Sequence, residues 1–169
     1  MNEIERFHQF RANVEQWSNE RGIYEHSTTL AQALKAVSEV GELADAVIKH
    51  DMDALKDAIG DVAVCLVNVA KLSNISVDVE YVMGFGLAGD TAANSVGMTC
   101  SMVGDLPRSC ANKETLEYAA CIDVAFSALI DTASAYGFLC SDCCDAAWNE
   151  IKDRKGRMVP GGAFVKEGV

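Results

Sequence analysis

Four carboxylates occur at helical spacing in two neighbouring, otherwise apolar stretches of this sequence. Glu39 and Glu42 are three residues apart and Asp57 and Asp61 are four apart, so each pair shares one side of a helix. Asp61 lies within AIGDVAVCLV, where a buried carboxylate without a partner would cost several kcal/mol. A divalent cation would offset this cost and the repulsion between the acids. Oxygen ligands without thiolate or imidazole favour Mg²⁺, or Mn²⁺, over zinc.

Cations are concentrated near the C-terminus, in NEIKDRKGR, although the chain has only 14 Lys and Arg residues and a formal net charge of −11. This basic strip is where an acidic protein could bind phosphate groups. Cations at the end of a helix also compensate its dipole, and for Arg157 we prefer that explanation. The predicted phosphate contacts are Lys35, Asn149, Lys152, Arg154 and Lys155.

Aromatic and imidazole side chains could bind a nucleobase. Trp17 and Trp148 could stack on a base and His26 could bond to its edge. An aromatic residue at helical spacing is more often part of the core, so these assignments carry less weight than the carboxylates.

Helices must position these side chains. Apolar residues at three- to four-residue spacing predict helices over residues 3–21, 28–49, 52–72, 113–136 and 141–155. Arg21 and Gly22 end the first. The predicted apolar stripe of the second consists of Leu30, Leu34, Val37, Ala44 and Ile48, flanked by Val40, Leu43 and Val47.

The second and third helices are separated only by the residues around His50 and Asp51, so they should form an antiparallel αα-hairpin with Asp51 as an N-cap. Glu39 and Glu42 lie eleven and eight residues before that turn, and Asp61 lies ten after it. At ~1.5 Å rise per residue all three stand roughly 15 Å from the turn. The spacing therefore brings three carboxylates together.

The remaining segments complete a single predicted domain over residues 1–169. Residues 75–112 are predicted to be an insertion with one weak helix, in which ISVDVEYV is either a strand or a short helix capped by Ser76. Around Pro160, the sequence RMVPGGAFVK predicts a short β-hairpin tail. The fold class is all-α.

Composition excludes several classes of protein. The net negative charge argues against binding nucleic acid. No run of about 18 uncharged apolar residues is present, and the charged N-terminus does not resemble a signal peptide. Seven cysteines placed within helical patterns suit a reducing cytoplasm. We therefore expect a cytoplasmic protein with no membrane partner.

The segment VSEVGELADAVIKH, followed by LKDAIGDVAVCLVNVA, resembles the metal-binding core of the MazG-like all-α NTP pyrophosphohydrolases. Glu39 and Glu42 match that family's E-x-x-E pair, and Asp61 matches the aspartate of its E-x-x-D pair. Ser38 and Ala58 stand where family members carry further glutamates, and Asp57 could substitute for the second. The resemblance covers residues 10–72 and 138–167, and AWNEIKDRKGRMVPGGAFVK resembles the C-terminus of phage-encoded members.

The resemblance implies a helical bundle and hydrolysis of an NTP or dNTP, between the α- and β-phosphates, by a metal-activated water. Glu39, Glu42 and Asp61 would be catalytic, and with Asp57 they would bind Mg²⁺ or Mn²⁺. It also implies a homodimer or tetramer, located in the host cytoplasm if phage-encoded, and suggests a purine substrate such as dGTP. The alternative is a catalytically idle helical module that binds metal or a partner, because Ala58 replaces a glutamate.

Four other motifs have less support. GFGLAGD, from Gly84 to Gly89, satisfies G-x-G-x-x-G, but a dinucleotide fold needs further strands. His50-Asp51 is better explained as a turn than as a phosphohydrolase motif. The cysteines at 140, 143 and 144 form only half of a zinc site, so core thiols are expected. A di-iron bundle needs two E-x-x-H motifs, and only Glu5 to His8 qualifies.

Overall fold

The computed structural model describes residues 1–84, 91–112 and 115–167 of the chain. Helices predominate, and the only β-structure in these ranges is a two-stranded antiparallel sheet near the C-terminus, so the predicted fold class is confirmed. The elements are α1 Glu3–Glu20, α2 Ile23–His26, α3 Thr29–Lys49, α4 Met52–Leu72, α5 Val79–Gly84, α6 Ala92–Asn112, α7 Thr115–Ala135, α8 Cys140–Ile151, β1 Gly156–Val159 and β2 Ala163–Lys166.

The predicted αα-hairpin of α3 and α4 is confirmed. His50 adopts a left-handed conformation with φ +54°, which turns the chain directly after α3. The side chain of Asp51 then accepts a hydrogen bond from the Ala54 amide at 3.0 Å and caps α4. His50 and Asp51 are therefore a turn and a cap, as expected. At the other end of the hairpin, Thr28 caps α3 through the Ala31 amide.

The predicted core face of α3 is wrong. Of the predicted stripe, Leu34 is 54% exposed and Ile48 is 75% exposed, and Leu30 and Val37 are exposed as well. The face that packs against α4 and α6 carries smaller side chains. Its buried apolar residues are Ala33, Ala36, Val40, Leu43 and Ala46. The face with the alanines is buried because small side chains let the neighbouring helices pack closely. The larger apolar residues therefore remain on the surface.

Helix α4 is the centre of the bundle. It packs against α3, α8, α1 and α7, and is buried on almost every side from Leu55 to Ala70. Gly60 permits the contact with α8, because a Cβ atom there would lie 2.5 Å from the Cys143 carbonyl oxygen and 2.6 Å from the Ala147 Cβ. Gly41, by contrast, faces open space.

The segment 75–112 contains two helices, α5 and α6, among its described residues, so the prediction of one weak helix is wrong. The helical reading of ISVDVEYV is the one observed, with Asp78 rather than Ser76 bonding the Tyr81 amide at 2.9 Å. Helix α6 is 21 residues long and packs against α7 and α3. Gly86 and Gly89 of the GFGLAGD motif lie outside the described residues. That the segment is an insertion stays a prediction.

The first and last helices agree with the sequence patterns, with one difference. Helix α1 ends at Glu20, and Arg21 and Gly22 follow it as predicted. Helix α8 ends at Ile151, four residues earlier than predicted, because β1 begins at Gly156. The β-hairpin tail is confirmed, with Val159 paired to Ala163 across Pro160, Gly161 and Gly162.

The cysteines and one apolar helix complete the description. All seven cysteines are free, and those at 140, 143 and 144 are buried at the start of α8, so the expected core thiols are confirmed. Within the described residues, Tyr118–Ala135 of α7 is long and apolar enough to cross a membrane by length and composition alone. Half of that segment is buried inside the fold, as the core helix of a bundle would be.

We predict that Gly60→Ala will destabilise the protein, because the added methyl group overlaps the α8 backbone. Overpacking of this kind costs about 1–3 kcal/mol. Gly104→Ala is the matched control, since its Cβ would meet nothing within 4 Å and alanine favours a helix by up to about 1 kcal/mol. Urea unfolding curves would measure both. Equal stability of the two variants would contradict the close approach of α4 and α8.

Candidate functional site

A cavity of about 500 Å³ lies along the α3–α4 hairpin, closed on its other sides by α1 and the β-hairpin tail. One end of the cavity carries acidic and basic side chains. The other end carries amide, aromatic and aliphatic side chains. The charged end is lined by Lys35, Glu39, Glu42, Asp61 and Arg154. The other end is lined by Trp17, Ile23, Gln32, Asn68 and Phe164. The three carboxylates that helical register predicted to be neighbours therefore face one cavity.

Glu39 is a buried carboxylate with a single cationic partner. Only 4% of the residue is exposed, and its Oε1 accepts a hydrogen bond from Lys35 Nζ, one turn earlier on α3. Burial alone lowers the pKa of Lys35, but this ion pair outweighs burial and raises the pKa above its ordinary value. Lys35 therefore stays charged and neutralises Glu39.

Asp61 lies opposite Glu39 without a cation of its own. Burial raises the pKa of Asp61 to about 7, and the negative charges of Glu39, Asp57 and Glu150 contribute to the same increase. Arg154 opposes this increase only weakly. The negative charges that act on Asp61 therefore outweigh the positive charge of Arg154.

Asp57 is exposed and does not line the cavity. Partial burial is the largest cause that raises the pKa of Asp57. The negative charge of Glu150 and a hydrogen bond between the two carboxyl groups raise it further. Glu150 belongs to α8 and also accepts a hydrogen bond from Arg154. Helix α8 thus brings a further carboxylate beside Asp57 of α4, which sequence spacing did not indicate.

The basic strip divides into two groups. Arg154 lines the cavity, while Lys152, Lys155 and Asn149 do not. Lys152 Nζ donates to Asn149 Oδ1 at 2.8 Å, so these two side chains point together, as their i,i+3 spacing indicated. Among residues that sequence reasoning missed, Lys166 of β2 also lines the cavity.

The predicted base-binding residues are also separated. Trp17 lines the cavity and contacts Phe164 edge to face, with ring centroids 5.5 Å apart. His26 is largely exposed, lies beside Glu25 and does not line the cavity. Trp148 is partly buried against the core. Their roles stay predictions.

A divalent cation fits the donor chemistry of the charged end. All donors are carboxylate oxygens, and two are withdrawn from solvent. The pKa of Asp61 is raised by burial and then by repulsion from neighbouring carboxylates, and a bound cation would relieve both effects. Within the described ranges, however, no three His, Cys, Asp or Glu side chains are close enough to hold a metal ion as they stand. The side chains would have to move to close around an ion.

These features define an all-helical protein with an acidic, cation-flanked cavity on a central αα-hairpin. Residues 26–84 of the chain match the family model of the MazG nucleotide pyrophosphohydrolase domain. The match contains the whole hairpin and its carboxylates, so the family resemblance is confirmed. It begins later than residue 10, and it extends through α5.

A curated relative comes from Haemophilus phage HP1 (strain HP1c1), where it is described as an uncharacterized 18.2 kDa protein in the rep-hol intergenic region. The two sequences are 40% identical over 70 residues, which is 41% of this chain and 43% of the relative. The phage source agrees with the phage-type resemblance of the sequence. No solved structure matches this chain significantly.

Gln32, Asn68 and Phe164 are further cavity residues that sequence reasoning missed. A signal existed for two of them: Gln32 precedes Glu39 by seven residues and Asn68 follows Asp61 by seven, which is two helical turns along the same faces. Phe164 gave no such signal, because its position depends on how the tail folds back over α1.

We predict that Asp61→Asn will stabilise the metal-free protein at alkaline pH. Folding raises the pKa of Asp61. Its protonation therefore contributes fully to the stability of the fold below about pH 4, and this contribution is lost as the pH rises through 7. In EDTA at pH 8 the variant should be more stable by about 2–4 kcal/mol, and the difference should shrink towards pH 4. Denaturant unfolding across this range measures it, with exposed Asp45→Asn as control. A difference independent of pH would contradict the electrostatic environment assigned to Asp61.

Proposed function

We propose that this protein hydrolyses a nucleoside triphosphate to the monophosphate and pyrophosphate, with Mg²⁺ or Mn²⁺ as cofactor. The observation that carries the proposal is the cavity lined by Glu39 and Asp61 together with Lys35 and Arg154. Both carboxylates and Lys35 lie within the segment that matches the MazG family. Carboxylates able to hold a cation and basic groups able to bind phosphate are the parts such a reaction requires. A purine substrate such as dGTP is part of the proposal.

The charged end of the cavity suggests how substrate and cofactor would be accommodated. Glu39, Glu42 and Asp61 would hold the ion, and Asp57, one turn before Asp61 but outside the cavity lining, would be a further donor. A divalent cation supplies charge neutralisation for phosphate oxygens and activation of the attacking water. Once Glu39 is neutralised by the ion, the Lys35 ammonium is free to bind a phosphate oxygen. Arg154 would bind phosphate from the opposite wall, since it already lines the cavity.

The exposed stripe on α3 supports a homodimer or tetramer, which we propose as the working state. Leu30, Leu34, Val37 and Ile48 present large apolar side chains to the outside of the described fold. Contiguous apolar surface of this kind is typical of an interface between proteins. Its place on the helix that carries Glu39 and Glu42 would put the partner next to the cavity. We also propose the host cytoplasm as the location.

Glu42→Gln tests the metal-dependent reaction, because it keeps the volume of the side chain and removes the anion. We expect pyrophosphate release from a nucleotide panel to fall by about 10²-fold or more. The rise in melting temperature on adding Mg²⁺ should shrink, since that rise reports affinity for the folded state. Asp45→Asn is the control, because Asp45 is exposed and pairs with Lys49 outside the cavity.

Three outcomes of this experiment differ in meaning. A wild-type protein that releases no pyrophosphate from any nucleotide, yet is stabilised by Mg²⁺, would favour the idle metal-binding module that Ala58 suggests. Activity that persists in EDTA with an unchanged melting temperature would reject the metal. An active Glu42→Gln variant that is destabilised without metal would assign Glu42 to the scaffold.

The basic strip gives a separate prediction. Arg154→Gln should weaken nucleoside triphosphate binding about tenfold or more and Lys152→Ala by a smaller factor, because charge-assisted hydrogen bonds to phosphate are worth about 1.5–3 kcal/mol. Both variants should leave nucleoside binding unchanged. The larger loss is expected for Arg154, which lines the cavity. Lys49→Ala is the control. Calorimetric titration measures the affinities, and a loss for the nucleoside equal to that for the triphosphate would remove these residues from phosphate binding.

A further inference from the structure

Two buried amide side chains face each other at the uncharged end of the cavity. Gln32 of α3 is 6% exposed, Asn68 of α4 is 3% exposed, and Asn68 Nδ2 lies 3.4 Å from Gln32 Oε1. They repeat the Glu39 and Asp61 pairing two helical turns further from the hairpin turn, about 10 Å away at ~1.5 Å per residue. The amide pair and the acidic pair thus stand at two heights of the same cavity.

A chain of hydrogen bonds fixes which way each amide points. The Gly162 carbonyl can only accept, and Ser27 Oγ donates its single proton to it at 2.7 Å. Ser27 must therefore accept from Gln32 Nε2, at 3.0 Å, which turns Gln32 Oε1 towards Asn68. Asn68 must then present its amino group to Gln32.

The bonds to the oxygen of Asn68 require the same orientation. Its Oδ1 accepts from Ser18 Oγ at 2.7 Å and from the Tyr24 hydroxyl at 3.0 Å, so both lone pairs are used. Burial raises the pKa of Tyr24, so its hydroxyl keeps the proton that it donates. Partners from α1, from α2 with its C-cap, and from the β-hairpin tail are thus all consistent with one orientation of the amides.

Hydrogen-bonding capacity is left over at this pair. Among the described bonds, Asn68 uses one of its two amino protons, and Gln32 Oε1 uses one of its two lone pairs. The Trp17 indole N–H is also buried without a partner in the described part of the chain. Unused buried groups cost free energy unless a ligand or water satisfies them. The pair therefore presents a donor beside an acceptor within a largely buried cavity.

The walls around the amide pair are flat and apolar. Trp17 and Phe164 meet edge to face, and Ile23 lies beside them on the cavity wall. Arg21 holds this wall to the tail, with its guanidinium 5.4 Å from the Trp17 ring and its Nε donating to the Arg154 carbonyl at 3.1 Å. Such walls suit a planar, heteroaromatic group.

We propose that the amide pair of Gln32 and Asn68 hydrogen-bonds to the edge of the substrate's nucleobase. The hydrogen bond from Ser27 to the Gly162 carbonyl fixes which amide offers a donor to the base and which offers an acceptor. The proposal rests on the proposed function. A nucleotide with its phosphates at Lys35 and Arg154 would reach the amide pair with its base. Gly162 is required in this arrangement, since it has φ +82° and a Cβ there would lie 3.0 Å from Ser27 Cα.

The test compares base selectivity with phosphate affinity. Non-hydrolysable α,β-methylene triphosphates of the four deoxynucleosides, and inorganic tripolyphosphate, are titrated with Mg²⁺ into the wild type, Gln32→Met and Ser27→Ala. Ser73→Ala is the control, because the Ser73 hydroxyl bonds to the Val69 carbonyl outside the cavity. Ser27→Ala removes one hydroxyl at the surface end of the network, which keeps the test independent of any folding defect in Gln32→Met.

We expect the wild type and Ser73→Ala to separate the best base from the worst by about tenfold or more, as paired hydrogen bonds to a base edge do. In Gln32→Met and Ser27→Ala this separation should fall towards unity, while tripolyphosphate affinity stays unchanged. Variants that keep the wild-type ranking and separation would overturn the proposal. A wild type without base preference would overturn it too, as would equal losses for tripolyphosphate.

Failure of the proposed function would look different. Wild-type protein that binds the analogues with base preference, but releases no pyrophosphate from natural nucleotides, would reject hydrolysis and leave the base-reading role in place.

Discussion

The opposition of Glu39 and Asp61 across two tightly packed helices governs the arrangement of the site. Helix α4 is enclosed by α3, α8, α1 and α7, so Asp61 cannot escape to water by a movement of its helix. Glu39 is equally enclosed and relies on Lys35 for neutralisation. In the metal-free protein the repulsion between these carboxylates is therefore an electrostatic cost that grows as the pH rises through the pKa of Asp61, about 7. This repulsion offsets part of the free energy that the burial of α4 contributes to the stability of the fold.

Much of the hairpin could be predicted because its signals are local. An N-cap at Asp51, a break at His50 and equal distances from the turn fix the height of each carboxylate without knowledge of the tertiary structure. The core face of α3 could not be predicted in this way. That helix has two apolar faces, and hydrophobicity favours the one with Leu30 and Leu34. The bundle buried the face with Ala33 and Ala36, because small side chains let helices approach closely.

The cavity shows a similar division. Glu39, Glu42 and Asp61 follow from register, and Lys35 follows from its position one turn away. Glu150 could not be predicted, because α8 reaches Asp57 only through the packing of distant helices. The orientation of Asn68 depends on a serine, a tyrosine and a carbonyl from different segments, so no pattern within one helix contains it. Register gives position along a helix, whereas hydrogen-bond direction is a property of the assembled fold.

The contact at Gly60 has a consequence for how this sequence can change. Helix α8 touches α4 there through Cys143 and Ala147, and the same helix carries Glu150 and leads directly into Arg154. The residues at 60 and 147 meet at this contact, so their size influences how far α8, with Glu150 and the segment leading to Arg154, lies from the acids of α4. A larger residue at either position would widen the cavity mouth without altering any group that lines it. Because a side chain at position 60 would also overlap the Cys143 carbonyl, a smaller residue at 147 alone would not restore the spacing.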